Sequence, residues 1–326
     1  MAGAAGEGGG AGPGGSRIPN NWQGLFRFCQ DATRDEDAPG ESMFVEMDPE
    51  RKKWLQEVLD GLAENDPVKA MLKDLQTMGE ETNDLETKEE ALENLELHVQ
   101  SLDLANDFHK IGGYTLLIGL LQGRHEGLKW RVGDLIATLV QNNPYCQNAA
   151  LETGLVPVLL QVLDSEESSL VRTKALYALS SLIRNFPEGQ KSFIENDGFS
   201  VLVRTMLSGE DRIVVKVAFL LRALCMEQPQ YKDVLHDMGM VDELVSLLHQ
   251  EHTSSHEYFM GALLFLAEDH SANQDECRRP ELKLHELLIN RAKLIKDKPE
   301  FQEELEHCQR LLVLLFEGHD PGTLDR

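Results

Sequence analysis

"GYTLLIGLL" (113–121), "GLVPVLLQVL" (154–163), "GFSVLVRTML" (198–207) and "GMVDELVSLL" (239–248) are four versions of one phrase, a glycine followed by a short apolar run. The glycines Gly113, Gly154, Gly198 and Gly239 stand 41, 44 and 41 residues apart. After each run comes a polar loop and a longer apolar stretch: "LKWRVGDLIATLV", "LVRTKALYALSSLI", "VVKVAFLLRALC" and "HEYFMGALLFLA". Apolar residues three and four apart make these stretches helices. Alternating β-branched runs closed by Asn-Gly or Asp-Gly turns are nearly absent. A period near forty built of helices alone predicts an all-α fold, an armadillo-type α-solenoid (superhelix) with four central repeats and helical caps at both ends.

One such unit cannot bury its apolar faces, so the units must stack and the ends must be covered. The division expected is a flexible N-terminal segment (1–47), N-terminal capping helices (48–110), four armadillo-like repeats (111–279) and C-terminal capping helices (280–326). Asp48-Pro49 and Asp66-Pro67 are helix starts, the aspartate accepting free amide hydrogens and the proline losing nothing by lacking its own. Pro144, Pro187 and Pro229 follow the first three long stretches, where each stops one helix and can start the next. "PELKLHELLINRAKLIKD" and "KPEFQEELEHCQRLLVLLF" read as two amphipathic C-terminal helices.

The chain has 326 residues, 41% hydrophobic and 27% charged, enough to bury a sizeable core. No run approaches the ~18 consecutive apolar residues of a membrane span. The glycine-rich start lacks the basic and apolar regions of a secretory signal, so the expected compartment is the cytoplasm. The five cysteines, Cys29, Cys146, Cys225, Cys277 and Cys308, form no Cys-x-x-Cys pair, which suits reduced thiols. The net charge is −25. It is uneven: residues 1–110 carry 10 Lys+Arg against 24 Asp+Glu, residues 111–237 carry 12 against 14, and residues 238–326 carry 9 against 18. Such a chain repels phosphate backbones and anionic bilayers, so its partner is expected to be a protein, with no nucleic acid and no membrane.

Catalytic signatures are missing. The Gly-rich start is not flanked by a strand and a helix, so it cannot cradle a pyrophosphate. His249, His252 and His256 straddle an inter-helix loop with no fourth ligand, and they read as solvated loop histidines. "HEYFM" lacks the second histidine of a zinc protease motif. No enzyme activity, catalytic residue, metal or cofactor is expected.

The remaining candidate site is the concave surface lined by the longest helix of each unit. Placing Leu170–Asn185 at 100° steps gives an apolar stripe of Val171, Ala175, Leu176, Ala178, Leu179, Leu182 and Ile183, opposite Thr173, Lys174, Tyr177, Ser180, Ser181 and Arg184. Arg172 falls inside the stripe and reads as a long stem packed between units. The same wheel turns Arg131, Asp134, Thr138 and Asn142 outward, and groups Arg212, Lys216 and Arg222 on one sector. Arg131, Arg172 and Lys216 each lie 18 residues after their unit's glycine, with Glu257 there in the fourth unit.

"ALENLELHVQSLDLANDF", "LKWRVGDLIATLVQNN", "DGFSVLVRTM", "VKVAFLL", "MGMVDELVSLL" and "CRRPELKLHELL", in this order, resemble the Fes-type armadillo family of nucleotide exchange factors for the heat shock protein 70 chaperone. The resemblance runs from "NWQGLFRFCQ" at about residue 20 to the end of the chain. It implies a monomeric co-chaperone whose concave face embraces the chaperone's ATPase domain and promotes ADP release, regulating substrate release. It places Ala105, in "LANDF", at a close contact and Lys216, in "VKVAFLL", at a basic one. The partner-binding residues expected are Ala105, Asn106, Arg131, Asp134, Tyr177, Arg184, Lys216 and Arg222. The apolar island Trp22, Leu25, Phe26 and Phe28 resembles a segment that competes for the chaperone's substrate-binding domain. The alternative is an armadillo peptide-binding scaffold or adaptor, whose usual Trp-x-x-x-Asn ladder is not repeated here.

Overall fold

The computed structural model describes residues 49–50, 52–54, 66–207 and 211–317. The N-terminal segment 1–47, its apolar island Trp22, Leu25, Phe26 and Phe28, and most of the helix expected from Asp48 lie outside the described residues. The described residues from Asp66 onward belong to one compact unit. Among the described residues every regular element is a helix.

Two helices, α1 (Pro67–Gly79) and α2 (Leu85–His98), open this unit. Asp66 accepts from the Val68 N–H at 3.0 Å, and Pro67 occupies the first turn, as the Asp-Pro pair predicts. The repeats follow, each with three helices where the sequence pattern resolves two. They are α3 (Leu102–Lys110), α4 (Gly113–Leu121) and α5 (Glu126–Val140); α6 (Pro144–Glu152), α7 (Leu155–Ser165) and α8 (Ser169–Ile183); α9 (Pro187–Glu195), α10 (Gly198–Leu207) and α11 (Asp211–Glu227); and α12 (Tyr231–Asp237), α13 (Met240–Leu248) and α14 (His256–Ala267). At the end come α15 (Ser271–Cys277), α16 (Leu284–Ile295) and α17 (Gln302–Phe316). The long helices α2, α5, α8, α11, α14 and α17 each pack on the next and make one continuous layer. Their apolar faces run into a single core that extends from Met71 to Leu315.

The turn before each middle helix sets the frame of the repeat. Its left-handed residue is Gly112 (φ 81°), Gly154 (φ 74°), Asp197 (φ 55°) or Gly239 (φ 73°). In the first and third units the glycine that the sequence marks is the following residue. Gly113 and Gly198 are needed for another reason: a Cβ there would come within 2.3 Å of the Phe108 ring or 2.2 Å of the Phe193 ring. The frame spacing is therefore more even than the glycines suggest, and position-by-position matching across units shifts accordingly.

The last-turn carbonyls of α8 and α14 are covered by neighbouring helices, which limits their access to water. Short helices supply the donors. Gln147 donates to the Ser181 and Leu182 carbonyls at 3.3 and 3.2 Å. Gln190 donates to Ile183 O at 3.3 Å and to the Glu227 carboxylate at 2.6 Å. Lys232, also buried, donates to Phe265 O at 2.8 Å and Glu268 O at 2.6 Å. Gln274 closes Ala267 O at 2.9 Å. Gln147, Gln190 and Lys232 each stand three residues after Pro144, Pro187 and Pro229. Burial pushes the Lys232 pKa down, while two carbonyls at a helix C-terminus favour its charged form.

Cys146, Cys225, Cys277 and Cys308 are free and buried, and Cys29 lies outside the described residues. Burial pushes the thiols of Cys225, Cys277 and Cys308 up to about 12.

Gly113→Ala and Gly198→Ala should each cost about 1–3 kcal/mol of stability in urea titrations, since a methyl group must displace a packed ring. Gly119→Ala, where a Cβ meets open space, should be neutral or gain up to ~1 kcal/mol. Lys232→Met should cost about 2 kcal/mol in the same titration, by leaving two buried carbonyls without their charged donor.

Candidate partner-binding face

The exposed side of the long-helix layer changes character along its length. At the N-terminal end its charges are spent between neighbouring helices. The Arg131 guanidinium on α5 lies 3.1 Å from Glu89 and 3.4 Å from Glu93 on α2, and 4.3 Å from the centre of the Trp130 ring. Asp134 pairs with Lys174 of α8, and Lys129 with Glu166. The Lys129 hydrogen bond holds the Glu166 carboxyl below its ordinary value. Gly133 has no side chain because the Lys174 Cβ would sit 2.9 Å away.

In the middle of the layer the pattern stops. Arg184, Lys216 and Arg212 make no ion pair among the described residues, although all three are exposed. Beside them, large apolar side chains stand open: Tyr177 is 40% exposed, Phe219 63% and Met226 67%. Tyr177, Ser180, Arg184, Lys216 and Phe219 line a shallow cleft between α8 and α11. The Arg222 guanidinium sits 5.7 Å above the Phe265 ring. Unpaired cations next to exposed aromatic rings are the composition of a protein-binding surface.

Comparison with known proteins gives this surface its context. A family model described as the SIL1/FES1/HPBP1 C-terminal domain matches residues 104–251, and one described as nucleotide exchange factor Fes1 matches residues 23–108. Hsp70-binding protein 1 of Rattus norvegicus is 38% identical over 96% of this chain and 90% of its own length. The Homo sapiens protein of the same name is 39% identical over 95% of this chain and 89% of its own. The chain belongs to the SIL1/FES1/HPBP1 family. A designed armadillo repeat protein covers 75% of the chain with a TM-score of 0.57 at 17% identity, which shows the armadillo fold.

Within this SIL1/FES1/HPBP1 chain, the residues expected at the face do not all meet there. Ala105 is 2% exposed, on α3, which packs against α1, α4 and α6 and not in the long-helix layer. Its carbonyl receives the Cys146 thiol at 3.3 Å. Ala105 and Phe108 are three apart, so both point into the core, and the groove contact expected for Ala105 is corrected by this burial. Asn106 is half-buried and accepts from Asn143 at 3.2 Å. Arg131 and Asp134 lie on the layer but are held by neighbouring helices. Tyr177, Arg184 and Lys216 line the cleft between α8 and α11, and Arg222 lines the next cleft along α11. Phe219 and Met226 belong with them and were missed. The signal was available, since Phe219 is three residues from both Lys216 and Arg222.

The matching by 18 residues also changes. Asn142 and Asn185 are both left-handed exits from long helices, and counting back from them aligns Arg131 with Lys174 rather than with Arg172. Arg172 instead donates from Nε to Leu163 O at 3.0 Å, a packing role within its own unit.

The histidines are not a solvated loop cluster. His249 is exposed, but His252 pairs with buried Glu304 at 2.9 Å, and His256 is 2% exposed at the start of α14. The loop folds back onto α16 and α17, where Arg291 also reaches Glu304 at 3.5 Å. Among the described residues no three His, Cys, Asp or Glu side chains gather as a metal-holding group.

Burial first, then Arg291 and His252, pushes the His256 pKa below 6.5. The unfolded chain then takes up the proton first as pH falls. Stability should hold above about pH 6.5 and decline below it, and His256→Gln should flatten that decline in thermal melts from pH 7.5 to 5. Replacing Arg131 by Ala should cost about 1 kcal/mol by loosening the α2–α5 joint, whereas Lys216→Ala should stay within about 0.5 kcal/mol of wild type.

Proposed function

We propose that this chain is a nucleotide exchange factor and co-chaperone that grips the ATPase domain of Hsp70 through the middle of its long-helix layer. The observation that carries the reading is the set of unpaired cations beside open aromatic rings on α8 and α11, in a chain that shares 38% identity over 96% of its length with Hsp70-binding protein 1. The arrangement asks no bond chemistry of the protein and needs no cofactor or metal. Binding that is tighter to the open form of the nucleotide site than to the closed form raises the population of the open form, and ADP leaves. Regulation of substrate release follows from that shift.

A rigid layer suits this task. Six long helices packed side by side present charges at fixed separations, so binding energy is not spent on ordering loops. Arg184, Lys216 and Arg222 would face carboxylates of the partner, while Tyr177, Phe219 and Met226 would supply the buried centre. The reading takes the protein as a cytoplasmic monomer. It also gives the island Trp22, Leu25, Phe26 and Phe28 a second contact, with the chaperone's substrate cleft. Among the described residues no helix is long and apolar enough to cross a membrane.

The test is release of labelled ADP from Hsp70. Wild-type protein should accelerate it. Lys216→Glu should weaken the acceleration by roughly tenfold or more at unchanged helical circular dichroism, because one cation of the partner contact becomes a repulsion. Arg172→Ala should lower the melting temperature and leave release nearly intact. Ala105→Arg would disrupt the core and is no probe of the face. Unaltered ADP release with wild-type protein would overturn the reading.

A further inference from the structure

At the C-terminal end of the same layer, α11, α14 and α17 enclose a cleft of about 210 Å³. Small residues open it. Gly261 leaves room where a Cβ would stand 3.1 Å from the His307 ring, and Ala218 and Ala262 lie beside it. Aromatic residues form its walls: Phe219 from α11, and Tyr258 and Phe265 from α14. Small-molecule sites run to ~300–1,000 Å³, so this cleft is sized for one long side chain of a protein partner.

Its charges define that side chain. Arg310 is already paired with Glu268, Arg222 lies 5.7 Å over the Phe265 ring, and the His307 ring also lines the cleft. Glu257 from α14 and Glu303 from α17 both line the cleft with their carboxyls within hydrogen-bond reach of each other, and no Lys or Arg pairs with either among the described residues. Two carboxylates this close repel, and burial together with Glu303 pushes the Glu257 pKa up. A cation placed against the pair removes the repulsion and meets the Phe219 and Tyr258 rings, which attract it. A guanidinium has the further advantage of a fork that fits carboxylates.

We propose that this cleft receives an arginine or lysine side chain of the Hsp70 ATPase domain, its cation against the Glu257–Glu303 pair and its stem along Phe219 and Tyr258. The inference rests on the exchange-factor reading and adds the register of docking. The centre of the layer offers cations without an ion-pair partner and its end two carboxylates without one, so the partner must present acid and then base in that order.

The experiment uses the full chain and the Hsp70 ATPase domain, with Kd from calorimetry and ADP release measured in parallel. Glu257→Gln combined with Glu303→Gln keeps shape and removes charge, and it should weaken binding about tenfold, as expected for a close interfacial charge pair. Glu303→Lys should weaken it further. Reversing one arginine or lysine of the ATPase domain to Glu should restore affinity to Glu303→Lys while impairing wild type. Full affinity in the double Gln variant, or the absence of any reversal that rescues Glu303→Lys, overturns the inference while the exchange activity of wild type stands. If wild type neither binds nor releases ADP, the inference falls together with the reading beneath it.

Discussion

The long helices α8, α14 and α17 end against neighbouring helices, and carbonyls of their last turns are met there by side chains. That constraint organises the repeat. A helix that ended in water would need no partner; one that ends beneath its neighbours leaves groups costing about 1–3 kcal/mol each if unpaired. The short helices α6, α9 and α12 carry donors for them. Gln147 serves the end of α8 in its own unit, Gln190 reaches back to α8 and forward to Glu227 of α11, and Lys232 closes α14. Arg278 does the same for the final helix, donating from Nε to Leu315 O at 2.8 Å. Stacking thus joins the apolar faces of neighbouring units, while the terminal carbonyls are met partly from within the unit, by Gln147 and Lys232, and partly from the next, by Gln190 and Gln274.

The division of the inner layer follows from the same stacking. Between α2, α5 and α8 the rims meet through Glu89, Glu93, Arg131, Asp134 and Lys174, which consume one another's charge. Between α8 and α11 no such exchange occurs among the described residues, and Lys216 and Arg184 are left facing outward beside Phe219 and Tyr177. The distinction between structural and available cations is therefore one of neighbours, since the residue types on the two stretches are alike.

Much of this was readable from the residues, and the misses have physical causes. The long helices, the starts at Asp66-Pro67, Pro144 and Pro187, and the apolar stripe of α8 were legible because a 3.6-residue period and capping chemistry are local, whereas Pro229 stands in the turn ahead of α12. The third helix of each unit was not: α6 and α9 are nine residues long and carry few large apolar side chains. Gly113 and Gly198 stood in for the true turn residues because two demands, a left-handed backbone and room for a ring, fall on adjacent positions. On the face itself, the wheel separated Tyr177, Arg184 and Lys216 from the core. It could not separate Arg131 from Lys216, because whether a cation is free depends on the helix beside it. Ala105 was drawn to the groove by resemblance, where its three-residue spacing to Phe108 already pointed inward. The fate of His256 depended on a loop folding onto α17, a contact some fifty residues away in sequence and invisible to any local pattern.

The buried cysteines have a use outside the protein's own chemistry. A thiol reacts as its thiolate, and those of Cys225, Cys277 and Cys308 are both enclosed and pushed up to about 12. None can be alkylated while its surroundings stay closed. With Cys146 they are distributed over α6, α11, α15 and α17, so labelling of each one clocks the transient opening of a different stretch of the solenoid. The protein carries its own set of local stopwatches, and a partner that clamps only part of the layer would slow some of them and leave the others running.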